Sequence, residues 1–253
     1  LVEYIGGPQF AHLLLGPLEN LAVVEETVVR EKACDSINQL AGIMSDQQIQ
    51  TFYLPLLHRL SSGEWFTSRT SAALLFASVY EKIPLSMRAD VHSMFVSLCT
   101  DETPMVRRAA ARDMSALVKR MSPEVIINEM LPLYRRLSAD DQDSVRLLTV
   151  QNLVAMAEVL SPAETQQLLL SSICGAFQDK SWRVRYMAAD NFVQLATAVG
   201  EDVVKEDLVP AYINLMRDAE AEVRTAAATQ LPGLAKLLDQ TTIIERLLPG
   251  ALQ

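Results

Sequence analysis

The sequence repeats itself about every 39 residues, and this period limits the possible folds more than any other feature. Six arginines mark it, at separations of 39, 38, 39, 39 and 39 residues in a chain of 253. The preceding residue is valine in five of the six units, and an aspartate stands six positions before the last four arginines. Such a period is typical of a solenoid, in which stacked units bury one continuous core. The anchor arginines are Arg30, Arg69, Arg107, Arg146, Arg185 and Arg224.

The apolar positions around each anchor predict two helices per unit. Positions three, seven and ten after the arginine carry a small and two large apolar residues, as in Ala110, Met114 and Leu117. Together with the position before the arginine, these offsets follow one face of a helix. Apolar residues also stand sixteen and twelve positions before the arginine, so a first helix precedes the turn at the aspartate. The carboxylate there can cap the second helix.

A proline inside the first helix completes the pattern. It lies fourteen residues before the anchor in three units, and we expect it to kink the helix rather than end it. Proline followed by aspartate, valine and arginine at these spacings is the pattern of HEAT repeats. The predicted fold class is all-α, a right-handed α-α superhelix of about six HEAT repeats. The prolines are Pro55, Pro132 and Pro210, with Pro249 at the same spacing in a seventh unit, whereas Gly16, Ser93 and Ser171 occupy this position in the other units.

The period runs without a linker, so one domain is predicted. We expect residues 1–253 to form a single continuous array, with partial repeats at 1–7 and 241–253. Because neither end has the polar face of a capping repeat, we expect the chain to be a fragment of a longer solenoid.

Composition excludes several classes of function. A net charge of −9 argues against nucleic-acid binding, and no run of about 18 apolar residues suggests a membrane span. Three widely spaced cysteines favour reduced thiols in a cytoplasmic or nuclear protein. His92 lies in an apolar column, where a buried structural histidine is more common than a ligand. Without a motif for catalysis, metal or cofactor, we predict no catalytic residues, no metal and no cofactor, and therefore no enzyme.

The columns three and four positions before the anchor follow no hydrophobic rule, so we expect them to be exposed at the turn between the two helices. Both tryptophans of the chain, Trp65 and Trp182, lie there, with Phe66 beside the first. Tryptophan and arginine are enriched at interface hot spots, which predicts a partner-binding surface. Local packing of the indoles is the alternative. The anchors Arg30, Arg69, Arg146 and Arg224 are predicted to link one repeat to the next by charge-assisted hydrogen bonds.

At these turns the sequence closely resembles the scaffold (A) subunits of the type-2A serine/threonine protein phosphatases. The resemblance implies a non-catalytic scaffold that binds regulatory (B-type) subunits along the turns between paired helices. It also implies that the catalytic subunit binds later repeats, which are absent from this chain. The segments that carry the resemblance are Trp65–Ala72, Asp101–Ala111, Asp141–Leu148 and Asp179–Met187.

The resemblance also implies a set of contact residues. Arg107 is the least secure of them, since it is also a repeat anchor. The implied partner-binding residues are Glu25, Glu26, Trp65, Phe66, Pro104, Arg107, Arg108, Asp143, Ser181, Trp182 and Arg183.

Two other classes of function stay open. A HEAT-type nuclear transport receptor would bind basic cargo and should carry acidic clusters on its second helices, which are mostly Ala, Leu and Val here. An enzyme whose site is assembled across repeats would need a nucleophile with its base, or a set of metal ligands, and the sequence shows neither.

Overall fold

The structure is a computed structural model, and it describes residues 1–251. Its contacts group into two compact units, Leu1–Met121 and Ser122–Gln253. Unit 1 contains the repeats anchored by Arg30, Arg69 and Arg107, here called repeats 1 to 3. Unit 2 contains repeats 4 to 6, anchored by Arg146, Arg185 and Arg224, and the start of a seventh. The prediction of one continuous array stays a prediction, and its last two residues, 252 and 253, lie outside the described part.

The second helix of each repeat begins two to four residues before the anchor arginine, as the periodicity predicts. Four of the six are continuous, and those of repeats 2 and 5 break after two turns. They span Thr27–Ile43, Phe66–Ala73 with Phe76–Val79, Pro104–Val118, Asp143–Val159, Trp182–Asp190 with Phe192–Val199, and Ala221–Ala235. A 3₁₀ turn, Tyr80–Lys82, follows the second helix of repeat 2.

The first helices fall into two classes that follow the proline column. Where the proline is present, a five-residue π-helical segment ends two residues before it and the helix then continues; where serine replaces it, the helix is α throughout. Proline lacks an N–H and crowds the carbonyl four residues earlier, so the helix widens locally at this point. The α helices are Leu85–Cys99 of repeat 3 and Pro162–Phe177 of repeat 5. The widened first helices are those of repeat 2 (Asp46–Gln48, Ile49–Tyr53 and Leu54–Ser61), repeat 4 (Pro123–Val125, Ile126–Met130 and Leu131–Ser138), repeat 6 (Glu201–Val203, Val204–Leu208 and Val209–Met216) and the start of the seventh (Gln240–Thr242, Ile243–Leu247 and Leu248–Ala251).

The first helix of repeat 1 differs from both classes. It consists of two 3₁₀ segments, Val2–Ile5 and Pro8–Leu14, followed by Leu15–Leu21. The predicted core residues Leu14 and Leu18 of this helix are half-buried, and Val29, a predicted core residue of the second helix, is exposed. Among the described residues, repeat 1 has a neighbouring repeat on one side only, so these side chains have fewer partners.

The predicted columns form the core of each unit. All six residues three positions after the anchors are buried, and so are all six at position ten. At position seven, only Leu231 is half-buried. His92 is 7% exposed and its Nε2 lies 2.9 Å from the Tyr80 hydroxyl, which confirms the prediction of a buried structural histidine. Within residues 1–251, no helix is both long and apolar enough to cross a membrane.

Candidate partner-binding turns

Each anchor arginine fixes the turn that precedes it. In repeat 4, the Arg146 guanidinium donates from Nη1 to the carbonyls of Asp140, at 2.8 Å, and Asp141, at 3.2 Å. The same pair of carbonyls, six and five residues before the anchor, is bound in all six repeats. The guanidinium therefore closes each turn from the inside.

Arg69 and Arg146 also reach the next repeat, as predicted, and so does Arg185, for which no link was predicted. Nε and Nη2 of Arg146 donate to the two carboxylate oxygens of Asp179, both at 2.9 Å. Arg69 makes the same bidentate contact with Asp101, and Arg185 with Asp218. This confirms the linking role predicted for Arg69 and Arg146. In the described residues, Arg30 and Arg224 bond only within their own turns. Arg30 therefore does not make the predicted link, whereas the aspartate position that Arg224 would reach falls beyond residue 253, so that link stays a prediction.

The aspartates have a second role at the start of each second helix. Oδ1 of Asp179 accepts a hydrogen bond from the backbone N–H of Ser181, at 2.7 Å. Asp101, Asp140 and Asp218 each accept in the same way from the backbone N–H of the residue two positions later. The carboxylate thus closes the turn before the helix, whereas we expected it to cap the helix itself. Burial raises the pKa of Asp179, but the Arg146 guanidinium and the Ser181 N–H outweigh burial and hold the pKa below its usual value.

Repeat 2 has Gly63 at the position where repeats 3 to 6 carry aspartate, and its junction with repeat 1 is built differently. A Cβ at Gly63 would collide with the Ser68 side chain, so aspartate does not fit without rearrangement. The link instead comes from hydroxyls: Thr67 Oγ1 donates to the Val23 carbonyl at 3.0 Å, and Ser71 Oγ to the Ala22 carbonyl at 2.6 Å. Successive turns are therefore tied together here too.

The columns expected to be exposed at the turns are exposed or half-buried, and none of their twelve residues is buried. In unit 1, the indole of Trp65 is 72% exposed and the ring of Phe66 is 41% exposed. Of the other unit 1 residues singled out above, Glu25, Glu26, Pro104 and Arg108 are exposed. Arg107 is half-buried and bonded to its own turn, at Asp101 and Glu102. This geometry favours a structural role for it.

In unit 2, the structure brings four predicted residues together. Ser181 Oγ donates to Asp143 Oδ2 at 2.8 Å, and Arg183 Nη1 lies 3.4 Å from the same oxygen. The Arg183 guanidinium also lies over the Trp182 indole, 5.3 Å from its centroid. The hydrogen bond from Ser181, with a smaller effect of Arg183, lowers the pKa of Asp143.

Both indoles were expected to be exposed at the turns, but Trp182 is half-buried. One cause is its neighbour Arg183, whose guanidinium covers part of the ring and is held there by Asp143 of the preceding repeat. The ring still reaches the surface, as an aromatic–cation pair rather than a bare indole.

Two exposed side chains on the turns were missed by the sequence reasoning. Val28 is 73% exposed and Met105 is 50% exposed, each two residues before its anchor. The available signal was that neither lies on the buried stripe of its helix.

Comparison with known proteins shows what this chain resembles in sequence. A family model described as a PPP2R1A-like HEAT repeat matches residues 201–250, and a HEAT repeat model matches residues 169–199. The chain is 46% identical over 138 residues to the PP2A regulatory (A) subunit of Schizosaccharomyces pombe, covering 54% of this chain and 23% of that protein. It is 50% identical over 115 residues to the beta isoform of the human 65 kDa regulatory (A) subunit of phosphatase 2A, covering 46% and 19%.

The chain contains HEAT repeats and is similar in sequence to the regulatory and scaffold subunits of phosphatase 2A. A third relative, named the protein phosphatase 2A scaffold subunit of Dictyostelium discoideum, is 42% identical over 134 residues, covering 53% of this chain and 23% of that one. The matches therefore span about a fifth of the length of these relatives. Their names describe regulatory and scaffold subunits, in agreement with the prediction that the chain is not an enzyme.

Solved structures confirm the predicted all-α superhelix of HEAT repeats. A crystal structure of a Kap121p mutant superposes with a TM-score of 0.78 at 13% identity, over 96% of this chain and 27% of that one. At this identity, the likeness concerns the fold alone.

Proposed function

We propose that the chain is part of a non-catalytic scaffold of a phosphatase 2A-type holoenzyme and binds regulatory (B-type) subunits along its turns. The observation that carries the proposal is the placement of Trp65 and of the Trp182–Arg183 pair on turns whose backbone is fixed by anchor arginines. A rigid aromatic side chain loses little entropy on binding, and Trp and Arg dominate interface energies. The relatives named as regulatory or scaffold subunits of phosphatase 2A support the same role.

In the full-length protein, we infer that later repeats hold the catalytic subunit, so that both subunits are carried on one frame. Holding substrate and active site at a fixed separation raises their effective concentration. We also infer a cytoplasmic or nuclear location, which is supported by the odd number and wide spacing of the three cysteines in the sequence.

The test is a calorimetric titration of the chain with purified B-type subunits. Trp182→Ala and Trp65→Ala should each weaken binding by about thirtyfold, equivalent to roughly 2 kcal/mol for a hot spot. Tyr4→Ala is the matched control, since Tyr4 is 89% exposed but lies away from the turns. All three variants should keep the helical circular dichroism of the parent chain. Unchanged affinity in both tryptophan variants would refute the proposal.

A further inference from the structure

The turns of unit 1 present a strip of apolar side chains to solvent. Val28, Trp65 and Met105 are 73%, 72% and 50% exposed, and come from three successive repeats. Phe66 and Pro104 extend the strip. We call these five residues the unit 1 strip. Contiguous exposed apolar surface of this kind marks protein–protein contact sites.

Hydrogen bonds between the turns keep the strip in register. Thr67, next to Phe66, bonds to the Val23 carbonyl in the turn of repeat 1. Arg69 bonds to Asp101 and to Thr103 Oγ1, at 3.4 Å, in the turn of repeat 3. Packed helix layers lie about 10 Å apart, so the strip has a spacing of about 10 Å from turn to turn.

A column of glutamates runs beside the strip. Glu25, Glu64 and Glu102 each lie five residues before an anchor, and each gives its backbone carbonyl to that anchor, at 2.6, 2.8 and 3.1 Å. With the carbonyl held on the inside, the carboxylates project outward, and all three residues are exposed. Among residues 1–251, none of these three carboxylates has an ion-pair partner.

The exposed charge beside the strip is therefore mostly negative. Glu26 adds a fourth exposed carboxylate, and Arg108 is the exposed cation on the same three turns. Unit 2 lacks such a column, because the equivalent residues are Asp141, Lys180 and Ala219. Glutamates beside apolar residues are thus a property of the unit 1 turns rather than of the repeat in general.

We propose that the unit 1 strip docks a protein surface on which an apolar ridge is flanked by lysines or arginines about 10 Å apart. This inference rests on the proposed function and adds the chemistry of the partner's contact face. A neutral partner would leave the carboxylates desolvated and unpaired, and an acidic partner would repel them. A basic face, in contrast, would be attracted at long range and held in register on the strip. Since these carboxylates are exposed, their main effect is on the association rate and its salt dependence.

The first test measures association kinetics with purified B-type subunits by surface plasmon resonance. The triple variant Glu25→Gln, Glu64→Gln, Glu102→Gln should lower the association rate constant about tenfold at low salt, and the difference should vanish at high salt. The control is Glu124→Gln, an exposed carboxylate at the start of a first helix in unit 2 and away from the turns, which should leave the rate constant unchanged. Trp65→Ala should act mainly on the dissociation rate.

The second test does not depend on a regulatory subunit. In a Trp182→Phe background, Trp65 is the only tryptophan and its emission reports on the strip. The probe is a helical peptide with leucines on one face and lysine at every seventh position, which places successive lysines about 10 Å apart. We expect this peptide to shift the emission of Trp65, the same peptide with glutamate for lysine to leave it unchanged, and the triple variant to bind about tenfold more weakly.

The two tests separate the inference from the proposed function. If the tryptophan variants weaken binding of B-type subunits but the triple variant associates at the parent rate, the charge inference is overturned and the scaffold proposal stands. If no B-type subunit binds the parent chain, the scaffold proposal fails. In that case, the peptides decide the charge preference: equal binding of the lysine and glutamate peptides, or binding of neither, overturns it.

Discussion

Replacing Arg146 by alanine should destabilise the chain more than the same change at any exposed anchor. Its guanidinium is 5% exposed and makes two charge-assisted bonds to Asp179 and two to the carbonyls of its own turn. Without it, the Asp179 carboxylate, 14% exposed, keeps the Ser181 N–H but loses its counter-charge. Removing one partner of a buried pair costs about 3–5 kcal/mol.

We expect Arg146→Ala to lower the free energy of unfolding by about 3 kcal/mol, the low end of that range, because Asp179 keeps one donor and some contact with solvent. For a chain of this size, this corresponds to a fall in Tm of roughly 6–12 °C. Arg224→Ala is the matched control: its guanidinium is exposed and bonds only to two carbonyls of its own turn, so about 1 kcal/mol is expected.

The pH dependence gives a second readout of the same contact. The folded-state pKa of Asp179 is held below its unfolded value of about 3.9, so its contribution to stability is present above pH 4 and lost as the pH falls through the folded pKa. The stability difference between the parent and Arg146→Ala, measured by urea unfolding and circular dichroism, should therefore shrink below pH 4. A loss no larger than that of Arg224→Ala, or a difference that is the same at pH 3 and pH 7, would refute the reasoning.

Three further changes test other parts of the structure. Burial raises the pKa of Asp113 to about 6, so its ionisation weakens the fold as the pH rises from 4 to 6. In parallel urea titrations, Asp113→Asn should therefore stabilise the chain by roughly 2 kcal/mol at pH 7 and by almost nothing at pH 4. Ala176 stands at the position where the other repeats have leucine, and it lines a cavity of about 190 Å³. Because a leucine would fill part of this cavity, Ala176→Leu should raise the Tm by a few degrees, and a lower Tm would show that the space cannot accept a leucine. Asn152 is fully buried, and among residues 1–251 its amide has no hydrogen-bond partner, so Asn152→Leu should increase the unfolding free energy by about 1–3 kcal/mol, and a loss of stability would contradict this.

The breaks in two second helices illustrate where sequence reasoning ends. Leu74 and Leu75 interrupt the helix of repeat 2, although leucine is a good helix former. The carbonyls at the break are bound by Asn38 Nδ2 from repeat 1, at 3.1 Å, and by the Tyr53 hydroxyl, at 3.0 Å. Part of the signal for the break therefore lies in other helices, 20 or more residues away, although Ser78 Oγ of the same repeat also donates to the Leu75 carbonyl, at 3.1 Å.

The sequence by itself determined the period, the two helices of each repeat, the buried columns and the turns that carry Trp65 and Trp182, because these follow from the spacing of apolar residues along a helix. Tertiary structure decided which of the predicted links form: Arg146 bonds both its own turn and Asp179, 33 residues later, whereas Arg30 bonds only within its own turn. It also decided how far each indole is exposed. Trp65 and Trp182 lie on equivalent turns, but only Trp182 is covered by a guanidinium that a neighbouring repeat holds in place.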